Sequence, residues 1–250
     1  DLTQKLGDAA WCVTCTRSGW DHLRSLAPDP ARVHLSYHGL DLTRFGPTDR
    51  AHSLRDGSDA RDPLRLVSVG RLVPKKGYDV LLRALALLPG DLNWRFDHIG
   101  GGPELARLQA LAEELGLTGR IDWQGALPQQ DVLELYRSSD LFVLPSRITP
   151  DGDRDGLPNV MVEAASQRLC CIGSNISGIP ELFQDGENGL LVPPEDAPAL
   201  AHALARAMRE PRLRLRLGDA AEARVRADFD AAASVRQLLA LFRQAWRDDA

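Results

Sequence analysis

Two carboxylates, Asp155 and Glu163, stand eight positions apart where an acidic loop turns into a helix. They lie in the stretch DGDRDGLPNVMVEAAS, residues 151–166. Pro158 sets φ for a first helical turn, and the Asp or Gly ahead of it can cap that turn. Val160, Met161, Ala164 and Ala165 then share one apolar helix face. Glu163 falls about one and a half turns in, on a side that can look back at the loop. Free N–H groups at a helix start bind anions, phosphate above all. A carboxylate one turn further in can accept hydrogen bonds from sugar hydroxyls. The stretch therefore reads as a site for a phosphate joined to a sugar.

A second stretch supplies the positive charge such a ligand needs. Gly70-Arg71-Leu-Val-Pro-Lys75-Lys76-Gly77 follows an apolar run. Gly70 lets the backbone approach a ligand closely. Arg71 offers a planar fork for phosphate oxygens, and lysine offers a mobile point charge. Gly77 is expected to start a helix and add its positive end. The chain has three lysines among many arginines, so two adjacent lysines here mark the residue type as significant. Gly100-Gly101-Gly102-Pro103 is another glycine-rich loop. It is not GxGxxG, so a nicotinamide dinucleotide fingerprint is absent, and the glycines serve either a ligand or the turn itself.

Other chemistries fit less well. Asp151, Asp153, Asp155 and Gly156 imitate a calcium loop, but its twelfth position is Val162, and Glu163 comes one place late. Cys12 and Cys15 form a CxxC, and Cys170 and Cys171 are adjacent, but no further His or Cys spacing completes a zinc set. All four read as reduced, buried thiols of a cytosolic protein. His38, His98 and His202 are isolated from any nucleophile or metal partner. No metal is expected.

The elements that must position these residues alternate regularly. Strands are expected at Leu64–Val69, Trp94–Ile99, Ile121–Gln124, Leu141–Leu144, Leu169–Gly173 and Leu190–Val192, with helices between most of them. That pattern means βαβ units and a Rossmann-like parallel sheet with helices on both faces, an α/β fold. Ligands on such sheets bind beyond the strand C-termini, where the glycines, paired lysines and acidic loop all fall. Residues 1–45 read as helix, strand, helix and strand, the end of a preceding domain. Residues 46–62 have almost no apolar content and read as an exposed linker. The main domain then spans 63–230, and a last helix covers 231–250.

Net charge is −5 with no basic block, which argues against nucleic acid as a partner. No apolar run approaches the roughly 20 residues that span a membrane. The chain begins without Met, so residues ahead of Asp1 are expected.

Taken in order, the segments SVGRLVPKKGYDVLLRAL, HIGGGPELARLQALAEELGL, IDWQGAL, LFVLPSR, DGLPNVMVEAASQ and GIPELFQDGENGLLVPPED resemble the C-terminal, donor-binding half of retaining glycosyltransferases of the GT-B fold, family 4. The wording of DGDRDGLPNV and WQGALPQ is most similar to the colanic-acid type of bacterial exopolysaccharide transferase. The resemblance implies that Arg71 and Lys76 hold the donor diphosphate and that Glu163 contacts the ribose. It places Asp155 by the donor sugar, where family members usually carry Glu, so its catalytic role and the sugar stay open. It puts Gly70, Gly101, Gly102 and the backbone of Gly156, Leu157, Pro158 and Asn159 against the donor, with Gly125 and Leu127 bordering the base. It implies a UDP- or GDP-linked sugar as donor and no divalent metal. The saccharide or lipid-linked acceptor would bind an N-terminal domain of which residues 1–45 are the remnant. The last helix, with Val235, Leu238, Leu239, Phe242 and Trp246 on one face, would cross back toward that domain and leave its apolar face partly uncovered. The expected location is cytoplasmic, with the full-length protein peripheral to the inner membrane face. Alone, the chain is expected to bind nucleotide weakly and transfer little. A GT-B epimerase or phosphorylase, or a non-catalytic nucleotide-sugar sensor or scaffold, are the other readings.

Overall fold

The computed structural model describes residues 1–48 and 53–248. The chain opens with α1 (Leu2–Asp8), β1 (Cys12–Thr14), α2 (Arg17–Leu26) and β2 (Val33–Leu35). The main body follows as β3 (Leu64–Val69), α3 (Tyr78–Ala86), β4 (Trp94–Ile99), α4 (Leu105–Glu114), β5 (Ile121–Gly125), α5 (Gln129–Ser138) and β6 (Leu141–Leu144). It continues as α6 (Asn159–Ser166), β7 (Cys170–Ser174), α7 (Ile179–Leu182), β8 (Leu190–Val192), α8 (Ala197–Arg209), α9 (Pro211–Asp228) and α10 (Ala231–Asp248).

Six strands form one parallel sheet in the order β5-β4-β3-β6-β7-β8, with helices packed over it. Every residue of β6 and β7 is buried, as a sheet covered on both faces requires. The order runs outward from β3 in both directions, through β4 to β5 and through β6 to β8. The loops after β3 and β6 therefore diverge at the switch point, the crevice where such sheets bind ligands.

β1 and β2 pair in a separate two-stranded sheet that α10 joins from the far end of the sequence. Ser234 Oγ donates to the Tyr37 carbonyl at 2.7 Å, and Gln237 Nε2 donates to the Leu35 carbonyl at 3.0 Å. Tyr37 stacks on Phe229 with ring centroids 4.7 Å apart. Val235, Leu239, Phe242 and Trp246 remain exposed on α10, Trp246 at 79%. No helix among the described residues is long and apolar enough to cross a membrane.

Of the expected linker, residues 49–52 lie outside the described residues. The stretch from Ser53 to Asp62 is polar and largely exposed, yet it is tied down. The Gly57 carbonyl accepts the Asn93 N–H at 2.7 Å, and Arg214 donates to the Ser53 carbonyl at 3.4 Å. Two local readings need correction. Pro158 is the N-cap of α6 at ψ 120°, because its extended backbone brings the chain in from the acidic loop, and the helix starts at Asn159. Cys12, in the two-stranded sheet, and Cys15, just past its end, are half-buried, since only two strands cover them; Cys170 and Cys171 are buried in the main sheet as expected.

Candidate active site

The β3–α3 loop does not run straight into its helix. Pro74–Lys76 forms a 3₁₀ turn, and Gly77 follows at φ +68° before α3 begins at Tyr78. A Cβ at Gly77 would lie 2.0 Å from the Pro145 carbonyl oxygen, so both the left-handed backbone and the contact exclude a side chain. Gly77 thus ends the 3₁₀ turn and is the N-cap of α3, accepting the Val80 and Leu81 N–H groups on its carbonyl. The effect is to press the lysine turn against the start of the β6–α6 loop.

The side chains meet there. Lys76 Nζ lies 2.7 Å from Asp155 Oδ2. Lys75 Nζ lies 3.0 Å from Asp153 Oδ1 and 3.5 Å from Asp155 Oδ1. The bond to Asp153 chiefly raises the Lys75 pKa. The Lys76 and Asp155 side chains are only 12% and 19% exposed, so the pair is partly desolvated. Arg71 is exposed and makes no ion pair among the described residues. Immediately beyond Asp155, α6 begins with no side-chain cap on its first N–H groups. The structure therefore brings Lys75, Lys76 and Asp155 together ahead of α6, with Arg71 further back on the lysine loop.

The acidic loop is knit by its own side chains. The Thr149 hydroxyl donates to Asp151 and to the Asp153 carbonyl, and the first of these bonds lowers the Asp151 pKa. Asp151 and Asp153 thus have roles within the loop. Among the described residues no group of three or more metal-binding side chains could hold an ion.

Glu163 lies one turn into α6, half-buried, and its pKa is raised by burial. The Tyr136 hydroxyl, on α5, donates to Glu163 Oε2 at 3.4 Å and partly offsets that burial. No hydrogen bond among the described residues joins Glu163 to Asp155.

The glycine loops pack on each other. A Cβ at Gly100 would lie 2.1 Å from the Gly70 carbonyl oxygen, and one at Gly102 would lie 2.4 Å from that of Leu72. Gly102 therefore serves the contact between loops. Gly101 faces open space, and a Cβ at Gly70 would strike the Tyr78 hydroxyl at 2.7 Å. Gly125 sits at φ +67° and accepts the Gly100 N–H at 2.7 Å, tying the ends of β4 and β5 together. Leu127 and Leu157 are partly buried against the core, Pro158 is buried, and Gly156 and Asn159 are exposed. A Cβ at Gly156 would come 3.3 Å from Thr16 Cγ2, so the chain's opening segment borders the acidic loop.

Two residues beside the site, Tyr78 and Tyr136, escaped the sequence reading, and His98 entered it only as an isolated histidine. Tyr78 is buried beneath Gly70, with Ser68 Oγ 3.3 Å from its hydroxyl. His98 is fully buried against Tyr78, with ring centroids 4.5 Å apart, and desolvation pushes its pKa down to about 4. Tyr136 packs under Glu163. Only an apolar neighbourhood marked these positions, and no spacing linked them to the loops.

Fold and site together define a Rossmann-like body that gathers a lysine-bearing loop, a helix start and two carboxylates at its switch point. The family described as Glycosyl transferases group 1 matches residues 52–224, and the chain belongs to it. It is 35% identical over 184 residues to WcaL of Salmonella typhimurium, a glycosyltransferase named for colanic acid biosynthesis, covering 73% of this chain and 44% of that one. It is 32% identical over 208 residues to the amylovoran biosynthesis glycosyltransferase AmsK of Erwinia amylovora, covering 80% and 49%. Among solved structures it superposes on Anabaena HepE in complex with UDP at a TM-score of 0.80, with 21% identity, covering 94% of this chain and 64% of that one. The fold is that of GT-B glycosyltransferases, and the chain spans about half the length of the curated relatives it matches.

Proposed function

We propose that this chain is the donor-binding half of a retaining glycosyltransferase that takes a sugar from a nucleoside diphosphate in bacterial exopolysaccharide synthesis. The observation that carries the reading is the Lys76–Asp155 pair, 2.7 Å across, at the open start of α6. A diphosphate entering there exchanges one anion for another on Lys76. Arg71 and Lys75 lie on the same loop, and the α6 N–H groups supply further donors. These groups stabilise negative charge most when it grows, as the bond from sugar C1 to the diphosphate oxygen breaks and the electron pair leaves with the phosphate. An acceptor hydroxyl then bonds to C1 on the vacated face and gives up its proton to the departing phosphate.

In this reading Glu163 takes the ribose hydroxyls. Gly70, Gly101 and the backbone from Gly156 to Asn159 line the donor, and Gly125 and Leu127 border the base. The transfer needs no divalent metal. HepE was solved with UDP, which supports UDP as one donor nucleotide; GDP is the alternative. A saccharide or lipid-linked acceptor binds the other half of the cleft, which residues 1–45 begin to form. The same proposal places the whole protein in the cytoplasm, peripheral to the membrane, and holds that the isolated chain transfers little.

Calorimetric titration with UDP, GDP and ADP, beside Lys76→Ala and Glu163→Ala, tests it. One nucleotide should bind, and both substitutions should weaken it at least tenfold. Equal binding by parent and variants would remove the donor site from these loops. Transfer assays with the complete protein, following the anomeric configuration of the product, test retention.

A further inference from the structure

Arg147 follows β6 by three residues and points back across the sheet edge. Its N–H donates to the Lys75 carbonyl at 2.8 Å. Its Nε donates to the Pro74 carbonyl at 2.8 Å. Its Nη1 lies 3.2 Å from Asp79 Oδ2, in the first turn of α3, and 3.5 Å from Glu195 Oε1, beyond β8. Its side chain, only 17% exposed, thus holds the first residue of the lysine turn, the first turn of α3 and an acid from a third strand-end loop, while its backbone N–H holds the middle of the turn.

Apart from the contacts of the Lys75 and Lys76 side chains with Asp153 and Asp155, little else holds the turn. Its internal bonds are the Lys76 N–H to the Val73 carbonyl at 3.0 Å and the Gly77 N–H to the Pro74 carbonyl at 3.2 Å. Two 3₁₀-type bonds are weak support for a segment that must present two lysines to an anion. Gly77 lets Pro145 approach, and its carbonyl accepts the Val80 and Leu81 N–H groups at the start of α3. The planar fork of Arg147 satisfies a carbonyl and a carboxylate in fixed directions, which a lysine cannot do from one point charge.

We propose that Arg147 is the positioning residue of the donor diphosphate site, holding the Pro74–Lys76 turn so that Lys76 faces the start of α6. It acts through Lys76 and does not itself meet the donor. This rests on the donor reading above for what Lys76 binds, but the clamp is testable without any ligand.

The experiment uses the 250-residue chain with Arg147→Met and Arg147→Lys. Amide hydrogen exchange is followed in the unliganded protein. Exchange at Lys76 and Gly77 should speed up tenfold or more in both variants, while β7 exchanges as in the parent. UDP and GDP are then titrated by calorimetry. The nucleotide that binds the parent should bind each variant about tenfold more weakly, and the Lys76→Ala, Arg147→Met double variant no more weakly than Lys76→Ala alone. Unchanged exchange at Lys76 and Gly77 overturns the proposal, as does a double variant in which the two losses multiply. Should Arg147→Met fail to fold, Arg147→Lys decides by the same readings. Faster exchange in a protein where Lys76→Ala leaves nucleotide affinity unchanged would remove the donor reading and leave the clamp standing.

Discussion

The two ends of the sheet each carry a cluster of paired charges, and the clusters are built differently. At the N-terminal end Asp140 is buried just ahead of β6. Its Oδ2 accepts the Arg65 N–H at 2.8 Å, and Arg55 Nη1 lies 3.4 Å away. Arg55 also meets Asp62 at 2.7 Å, while the buried Arg214 donates to the Ala207 and Met208 carbonyls at 2.7 and 2.8 Å. Backbone groups satisfy Asp140 and Arg214, the buried charges of this cluster, and Arg55 closes it with two carboxylates. At the C-terminal end Lys75 and Lys76 hold Asp153 and Asp155 by side chain alone, at the mouth of an uncapped helix. The first cluster closes a fold, and the second is left exchangeable. If the donor reading holds, backbone satisfaction rather than charge density separates a structural ion cluster from a binding one here.

Removing one member from each end is the most forceful way to break that contrast. Asp140→Ala strands buried positive charge and a backbone N–H, and should cost about 3–5 kcal/mol in urea unfolding. Lys76→Ala should cost under about 1 kcal/mol, because its pair is partly solvated, while abolishing most diphosphate affinity. A loss below about 1 kcal/mol for Asp140→Ala would erase the distinction. Gly77→Ala should come next. It forces a side chain to φ +68° and into Pro145, at a cost of about 2–3 kcal/mol by thermal unfolding.

His98 sharpens the contrast through pH. Burial lowers its pKa to about 4, so the folded protein resists its protonation while the unfolded chain takes a proton near 6.5. Its stabilising share is therefore present above the unfolded pKa and is lost as pH falls toward 4. Between pH 7 and pH 5 the parent should lose about 2 kcal/mol that His98→Leu keeps. Glu163 has the opposite sign. Its raised pKa favours the protonated form, so its penalty grows as pH rises through that value, and Glu163→Gln should raise the melting temperature at pH 7. Equal pH slopes for parent and His98→Leu would show that the ring is hydrated.

Much of the contrast was legible in the sequence on one side and little on the other. Leu141–Leu144 is an unbroken apolar run, Leu64–Val69 and Trp94–Ile99 intersperse apolar with polar residues, and each is followed by Gly or Pro, so all three declare strands without any partner. The loops after them follow by default, so Lys76, Asp155 and the start of α6 could be placed at one edge. What could not be read is which side chains cross between loops. Arg147 looked like any arginine after a strand, because its grip on Pro74 and Lys75 depends on the order β3-β6. Tyr136 lies 27 positions from Glu163 and meets it only because α5 and α6 pack together. Gly77 was read as a helix start because its left-handed φ comes from Pro145, which sequence distance conceals.

The smallest expected effect bears on Asp155, where this chain carries Asp and the family pattern usually has Glu. As found, Asp155 neutralises Lys76 at 2.7 Å and so competes with an incoming phosphate. Asp155→Asn removes that competitor while nearly keeping shape. Two charges about 4 Å apart near a surface interact by about 1–4 kcal/mol before solvent relaxes, and a measured change nearer the low end is expected. The variant should bind UDP or GDP about three- to tenfold more tightly, with stability altered by under about 1 kcal/mol. The complete enzyme should nonetheless transfer more slowly if the carboxylate also touches the donor sugar, because a tighter product complex and a lost sugar contact act in the same direction. Weaker nucleotide binding by Asp155→Asn would mean that the carboxylate orients Lys76 rather than competing for it. Asp155→Glu separates these cases further, since it keeps the charge and lengthens the reach. It should leave diphosphate affinity near the parent's and change only the discrimination between donor sugars.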